Sequence, residues 1–375
     1  MKSILKTVFV VVWTLVFVQC NKPAGTVVSQ NNDSVIGNES EALVNFVEKT
    51  SNYVNSDYMP ALIGVDDIEG VTGVLVIDIR DTSDYINGHI NGAVNKKVSE
   101  LYNYLLTEVD ASAFTKIVIA GYDGMSEGYI VSLFRIIGFG NIYALKYGMS
   151  SCSVDLAKNY WLKNISGKFQ DKLETKYQVL EGQNAYPKIV TGKNSTFEIA
   201  KARVNSLLSD SMDVVVSIDE VVANPEKYVV IAYVDSAVYA IGHIPGAINF
   251  ETRKSLISTA KLKQLPVDKS LVLYCYSGQT SLQAIAYLRL LGYNAYNIAY
   301  GSNAFMYSLM KSNDAIGRWF NPAEHIVNVS LVNGKLPFAE IKTDENNTIS
   351  ETNISEPKKT VPVKKVAKTS KGGGC

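Results

Sequence analysis

YINGHINGAVN, residues 85–95, and YAIGHIPGAIN, residues 239–249, are one phrase written twice, 154 positions apart. The same offset continues without a gap, pairing IVIAGYDGMSEGYIVSLFRIIGF (117–139) with LVLYCYSGQTSLQAIAYLRLLGY (271–293). A self-match of that length means that one domain is present in two copies. Each copy runs through a β-branched stretch, the Gly-His-Ile-x-Gly-Ala turn, a helical stretch, an apolar run, a glycine-containing loop, an amphipathic helix and a short strand. That alternation implies an α/β parallel sheet. It predicts strands at 74–79, 116–120 and 141–145 in copy one and at 228–233, 270–274 and 295–298 in copy two. Loops at the carboxyl ends of such strands are where ligands settle. Cys275 opens one of them, in LYCYSGQTS (273–281).

Around the repeat, 375 residues with 47% hydrophobic and 19% charged are enough to bury real cores. Lys plus Arg equals Asp plus Glu at 36 each, so no basic surplus argues for nucleic acid. The three histidines (His89, His243, His325) are far apart and no CxxC occurs, which speaks against a metal or haem site. The four cysteines, Cys20, Cys152, Cys275 and Cys375, do not make a disulfide framework. The expected organisation is a signal at 1–20, a spacer and helical lead-in at 21–57 and copy one at 58–165. A connector at 166–205, copy two at 206–335 and a tail at 336–375 follow, the tail rich in Asn, Thr, Pro and Lys and ending GGGC.

The first residues, MKSILKTVFVVVWTLVFVQC, place Lys2 and Lys6 ahead of an apolar run too short to span a bilayer comfortably. The run stops at Cys20 and so resembles a bacterial lipoprotein signal, which implies a lipid on Cys20, although Phe17, Val18 and Gln19 are bulkier than usual. Ordinary cleavage and an uncleaved anchor are the alternatives. All three put the body outside the cytoplasm, on the periplasmic or cell-surface side.

VLVIDIRDTSDYINGHINGAVN and LVLYCYSGQTSLQAIAYLRLLGYNAYNIAYG resemble the two signatures of rhodanese sulfurtransferase domains, over roughly 58–160 and 210–310. The resemblance implies two rhodanese-like domains, each a mostly parallel sheet flanked by helices, in a tandem lipoprotein. It also implies that Cys275 is a nucleophile at the head of a backbone N–H loop, Tyr276, Ser277, Gly278, Gln279, Thr280 and Ser281, which binds substrate. Such a loop at a helix N-terminus favours an anion and stabilises a persulfide. Gly278 would permit the tight path, and Thr280 or Ser281 would cap the helix. Cys275 would take sulfane sulfur from thiosulfate, polysulfide or a persulfide and pass it to a thiol or cyanide-like acceptor, with no cofactor. A protein partner is not legible. Phosphatases of this fold carry an arginine six places after their cysteine; Ser281 stands there, which removes the phosphate clamp.

Gly121 occupies the place of Cys275, so copy one is expected to be catalytically dead. It keeps the family's Asp-x-Arg as Asp78 and Arg80, with Asp84, where copy two has Ala232, Val234 and Val238. In the family those charges brace the sheet end and the Gly-His turn, and their loss in copy two favours the competing reading, a non-catalytic sulfur-binding or scaffold module. His89 and His243 are expected to be structural, since their turn recurs where no nucleophile does. Asp123 and Glu127 are expected to be solvated charges and Cys152 a packing residue. Cys375, on a glycine tether, is either incidental or a partner that exchanges sulfur or a disulfide with Cys275.

Overall fold

The computed structural model describes residues 37–334. The expectations for the signal, Cys20, most of the spacer, the tail and Cys375 lie outside the described residues.

Each copy builds one five-stranded, wholly parallel sheet. In copy one these are β1 (Leu62–Ile63), β2 (Val74–Asp78), β3 (Val94–Asn95), β4 (Lys116–Ala120) and β5 (Ile142–Leu145), in the order β1-β5-β4-β2-β3. Copy two repeats that order with β6 (Val215–Val216), β7 (Tyr228–Ala232), β8 (Ile248–Asn249), β9 (Ser270–Tyr274) and β10 (Ala295–Ile298). The six long strands fall where the alternation predicts them, to within a residue. The four two-residue strands are additional, being too short to carry a periodic signal. Val76 lies beside Val118 and Val230 beside Val272, so the central strands keep one register in both copies. Their near-continuous apolar runs reflect burial on both faces.

Six helices matter for the site: α1 (Glu39–Thr50), α2 (Thr82–Asn87), α3 (Met125–Ile136), α4 (Thr196–Ser209), α5 (Ser236–Ile241) and α6 (Gln279–Leu290). The helices α3 and α6 are repeat equivalents and pack directly on each other, where the two copies meet. Their approach is close because Gly128 has no side chain: a Cβ there would sit 2.7 Å from the carbonyl oxygen of Gln279. One turn on, Ser132 Oγ donates to the Gln283 carbonyl at 2.7 Å. Apart from Arg289, every residue of α6 is buried, which explains a helix written almost entirely in Leu, Ala, Ile, Ser and Gln.

The copies also exchange their ends. Helix α1 precedes copy one yet seats on copy two: Ser40 Oγ donates to the Leu291 carbonyl at 2.8 Å, and Glu48 accepts from Ser258 N at 2.6 Å and Ser258 Oγ at 2.7 Å. Helix α4 precedes copy two and packs on residues 98–103 of copy one and on α1. After each sheet the chain crosses over. Glu174 forms an antiparallel bridge with His243 of copy two (2.9 and 3.0 Å), and Val332 forms one with His89 of copy one (2.9 and 3.0 Å). The stretch read as a connector is thus partly a strap across copy two, with α4 behind it.

Candidate functional site

Cys275 directly follows β9, and the chain then turns into α6 through Gly278, whose φ of +83° is a left-handed value that glycine adopts without a Cβ penalty. The loop is held from behind by the segment after β10. Ser302 N donates to the Cys275 carbonyl at 2.8 Å, while Asn303 N and Nδ2 donate to the Tyr276 carbonyl at 3.2 and 2.7 Å. Gly301 (φ +55°) makes this approach possible, since a Cβ there would collide with the Cys275 carbonyl oxygen and lie 2.7 Å from Gly278 N. The helix cap differs from the sequence expectation. Neither Thr280 nor Ser281 caps α6: the N-cap is Gly278, with no side-chain cap. Ser281 Oγ instead donates to the Gly278 carbonyl (3.1 Å) and to Asn297 Oδ1 (2.6 Å), because it already lies within the first helical turn, past the position from which a hydroxyl can reach the leading N–H groups. Thr280 Oγ1 is buried with no hydrogen-bond partner among the described residues.

Copy one has the same backbone with different contents. Met149 N and Ser150 N brace the Gly121 and Tyr122 carbonyls at 2.8 and 3.2 Å, and Gly124 (φ +87°) leads into α3. Inside the loop lies the Glu127 carboxyl, whose Oε1 accepts from Gly121 N at 2.6 Å and Gly124 N at 3.0 Å. Glu127 is 0% exposed, and burial, then the neighbouring Asp123, pushes it up to about 8. Burial also raises Asp123, which accepts from Met125 N (3.1 Å) and Tyr300 Oη (3.2 Å). The expectation of two solvated charges is therefore wrong: the loop is filled by the chain's own buried carboxyl, which burial favours in its protonated form.

The remaining candidates are engaged within their own surroundings. Arg80 grips Asp78 (Nη2 to Oδ2, 2.7 Å) and donates to the Gly88 carbonyl at 2.7 Å, with both residues buried. His89 stacks on Tyr85 at 3.8 Å, with Nδ1 2.8 Å from its carbonyl. His243 does the same on Tyr239 (3.6 and 2.8 Å), and its Nε2 lies 3.1 Å from the Lys176 carbonyl. Both imidazoles are fully buried within turn packing. Cys152 is buried against Met149 Sδ at 3.8 Å, and burial pushes its thiol up to about 12. Among the described residues no group of three or more His, Cys, Asp or Glu forms a metal cluster, and no helix is long and apolar enough to cross a membrane.

The Cys275 loop is covered. From Cys275 to Ser281 the side chains are at most 1% exposed. Gln279 Oε1 accepts from Tyr147 N of copy one at 2.8 Å and its Nε2 donates to Ser277 Oγ at 3.2 Å; in the mirror position Met125 Sδ accepts from Tyr300 N at 3.3 Å. Tyr147 and Tyr300 also belong to an aromatic group in which Trp161 meets Tyr147, Tyr300 and Phe320 at centroid distances of 5.0, 5.0 and 4.8 Å. His325 packs on Tyr147 at 4.6 Å, and burial lowers it to about 4, so it is neutral there at physiological pH. Arg318 lies over the Tyr276 ring at 4.6 Å. Neither this group nor Arg318 was legible, since Trp161, Arg318, Phe320 and His325 come from chain outside the aligned repeat.

Residues 65–154 and 217–307 match the Rhodanese-like domain family. An 85-residue stretch, 23% of this chain, is 36% identical to a tRNA sulfurtransferase of Pyrobaculum aerophilum and spans 17% of that protein's length. A Lactobacillus plantarum protein of solved structure is 28% identical, with a TM-score of 0.23, over 28% of this chain and 91% of its own. A 3-mercaptopyruvate sulfotransferase of Escherichia coli is 17% identical, with a TM-score of 0.24, over 64% of this chain and 99% of its own. At those scores the structural likenesses carry no weight for function. With the family matched separately in both halves, over the same parallel sheet and the same strand-to-helix loop, the chain is a tandem rhodanese-like protein.

Proposed function

We propose that the chain moves sulfane sulfur through Cys275. The observation that carries this reading is the pair of loops. In copy one two backbone N–H groups of the loop hold a carboxyl oxygen, and in copy two the loop has no carboxyl in that place and begins with a thiol. A backbone N–H loop at a helix N-terminus favours an anion, and a cysteine persulfide is one. The Cys275 thiolate attacks the outer sulfur of thiosulfate, whose S–S bond breaks as sulfite leaves with the electron pair, giving Cys–S–S⁻. An acceptor such as cyanide then takes the terminal sulfur and returns the thiolate, with polysulfides and persulfides as alternative donors. Gly121 leaves copy one without a sulfur carrier. The work is done outside the cytoplasm, by a protein held to a membrane through lipid on Cys20.

A non-catalytic sulfur-binding or scaffold module is the second reading. It is favoured by the complete burial of residues 275–281 and by Ala232 and Val234 in place of an ion pair. Turnover requires the packing that buries Cys275 to open. The test is intact mass of the purified chain after thiosulfate and again after cyanide, beside Cys275→Ser. One added sulfur that maps to Cys275 and leaves with cyanide supports transfer; no adduct removes it in favour of the scaffold reading.

A further inference from the structure

We propose that Arg318 is the residue that brings an anionic sulfur donor to the Cys275 loop, supplied by a strap that lies outside the repeated domain. This rests on the sulfur chemistry proposed above. The family match in copy two ends at residue 307. The chain beyond it runs over the Cys275 loop at Arg318, joins the aromatic group through Phe320 and His325, and bridges to copy one at Val332. Asn303 ties the two layers together, donating to the Tyr276 carbonyl and accepting from Phe320 N at 2.8 Å.

Charge and position single Arg318 out. Its guanidinium carbon is 4.6 Å from the centre of the Tyr276 ring, while its side chain keeps 32% of its exposure and Tyr276 has 1%. Arg318 is thus a cation that rests on the ring of a buried loop residue and still reaches water. Asp235 faces it at a long 3.8 Å, its own carboxylate 54% exposed, so the pair is loose and open to exchange for another anion. The backbone at Arg318 is left-handed (φ +55°), directly after Gly317 at φ +54°, a conformation that disfavours a long side chain and is retained where surroundings impose it.

Copy one shows the opposite arrangement at the equivalent place. Tyr122, the counterpart of Tyr276, donates its hydroxyl to Asp84 at 2.7 Å and packs on Tyr160 at 4.8 Å, so its rim is acidic and closed. Copy two has Val238 where Asp84 stands, so its rim carries one carboxylate fewer, with Asp235 the acid that Arg318 faces. The lost acid is then one half of an exchange that makes the rim attractive to an anion.

The experiment compares alkylation of Cys275 in the folded full chain by iodoacetate, an anion, and iodoacetamide, its neutral counterpart, with rates read by peptide mass mapping. The Cys152 peptide reports any global opening. Arg318→Gln is expected to lower the iodoacetate to iodoacetamide rate ratio at Cys275 by roughly fivefold at low salt, Arg318→Lys to keep most of it, and added salt to shrink the wild-type ratio. An unchanged ratio in Arg318→Gln overturns the inference. So does the absence of any Cys275 alkylation in the wild-type chain, since then no anion reaches the loop. A chain that shows the charge-dependent alkylation yet takes no sulfur from thiosulfate keeps this role for Arg318 and removes the proposed function.

Discussion

Replacing Glu127 with glutamine should change how the stability of the whole chain depends on pH. The carboxyl takes up a proton on folding, because burial first and Asp123 second lift it from the ordinary 4.5 to about 8. Between those values the folded state holds a proton that the unfolded state has lost. The stability contribution is therefore complete below about pH 4.5 and disappears as pH rises through 8. One proton is worth about 1.4 kcal/mol per pH unit, so the window spans on the order of 5 kcal/mol, a large part of a typical domain's stability. Glutamine keeps an oxygen for Gly121 N and Gly124 N, and its amide nitrogen takes the place of Oε2, which has no partner among the described residues. Urea midpoints from pH 5 to 9 for the full chain and Glu127→Gln should agree within about 1 kcal/mol at the acid end and diverge towards pH 8–9, with the variant the more stable. Parallel curves would mean that Glu127 is charged in the fold and would refute the reasoning.

Two further outcomes follow from copy one's brace and copy two's loop. Arg80→Ala leaves Asp78 fully buried without its cation and the Gly88 carbonyl without its donor, and should cost roughly 3–5 kcal/mol in chemical denaturation; a loss below about 1 kcal/mol would show that the pair braces nothing. Gly301→Ala drives a Cβ into the Cys275 carbonyl at a left-handed φ, so a loss of roughly 2–4 kcal/mol together with loss of thiosulfate-dependent mass gain is expected, and a variant that still gains sulfur at the wild-type rate would contradict the tight brace behind the loop.

Most of the fold was legible because it is written twice. The offset of 154 residues runs unbroken from β2 to the end of α3, and a repeated phrase of mixed strand and helix leaves little choice of architecture. Cys275 and its loop were legible as a motif. Their burial was not, because Trp161, Phe320 and Tyr147 come together only when the copies dock, and no local pattern encodes that contact. Glu127 was misread for a related reason: a lone acid amid polar neighbours is usually hydrated, and only the geometry of the loop shows it turned inward. The straps escaped notice because Glu174 and Val332 lie outside the aligned phrases and pair with turns in the other copy.

That exchange of straps bears on how the protein is made. Copy one is synthesised first, yet the segment that bridges to its Gly-His turn at Val332 comes after the whole of copy two's sheet, and the helix that covers α3 belongs to copy two. A ribosome that has released copy one's sheet has released a half that still shows the apolar face of α3. Domain-by-domain folding from the N-terminus, the usual habit of multidomain chains, would leave copy one without its strap and without the partner of α3. The native packing of copy one is complete only once the segment that carries Val332 is in place.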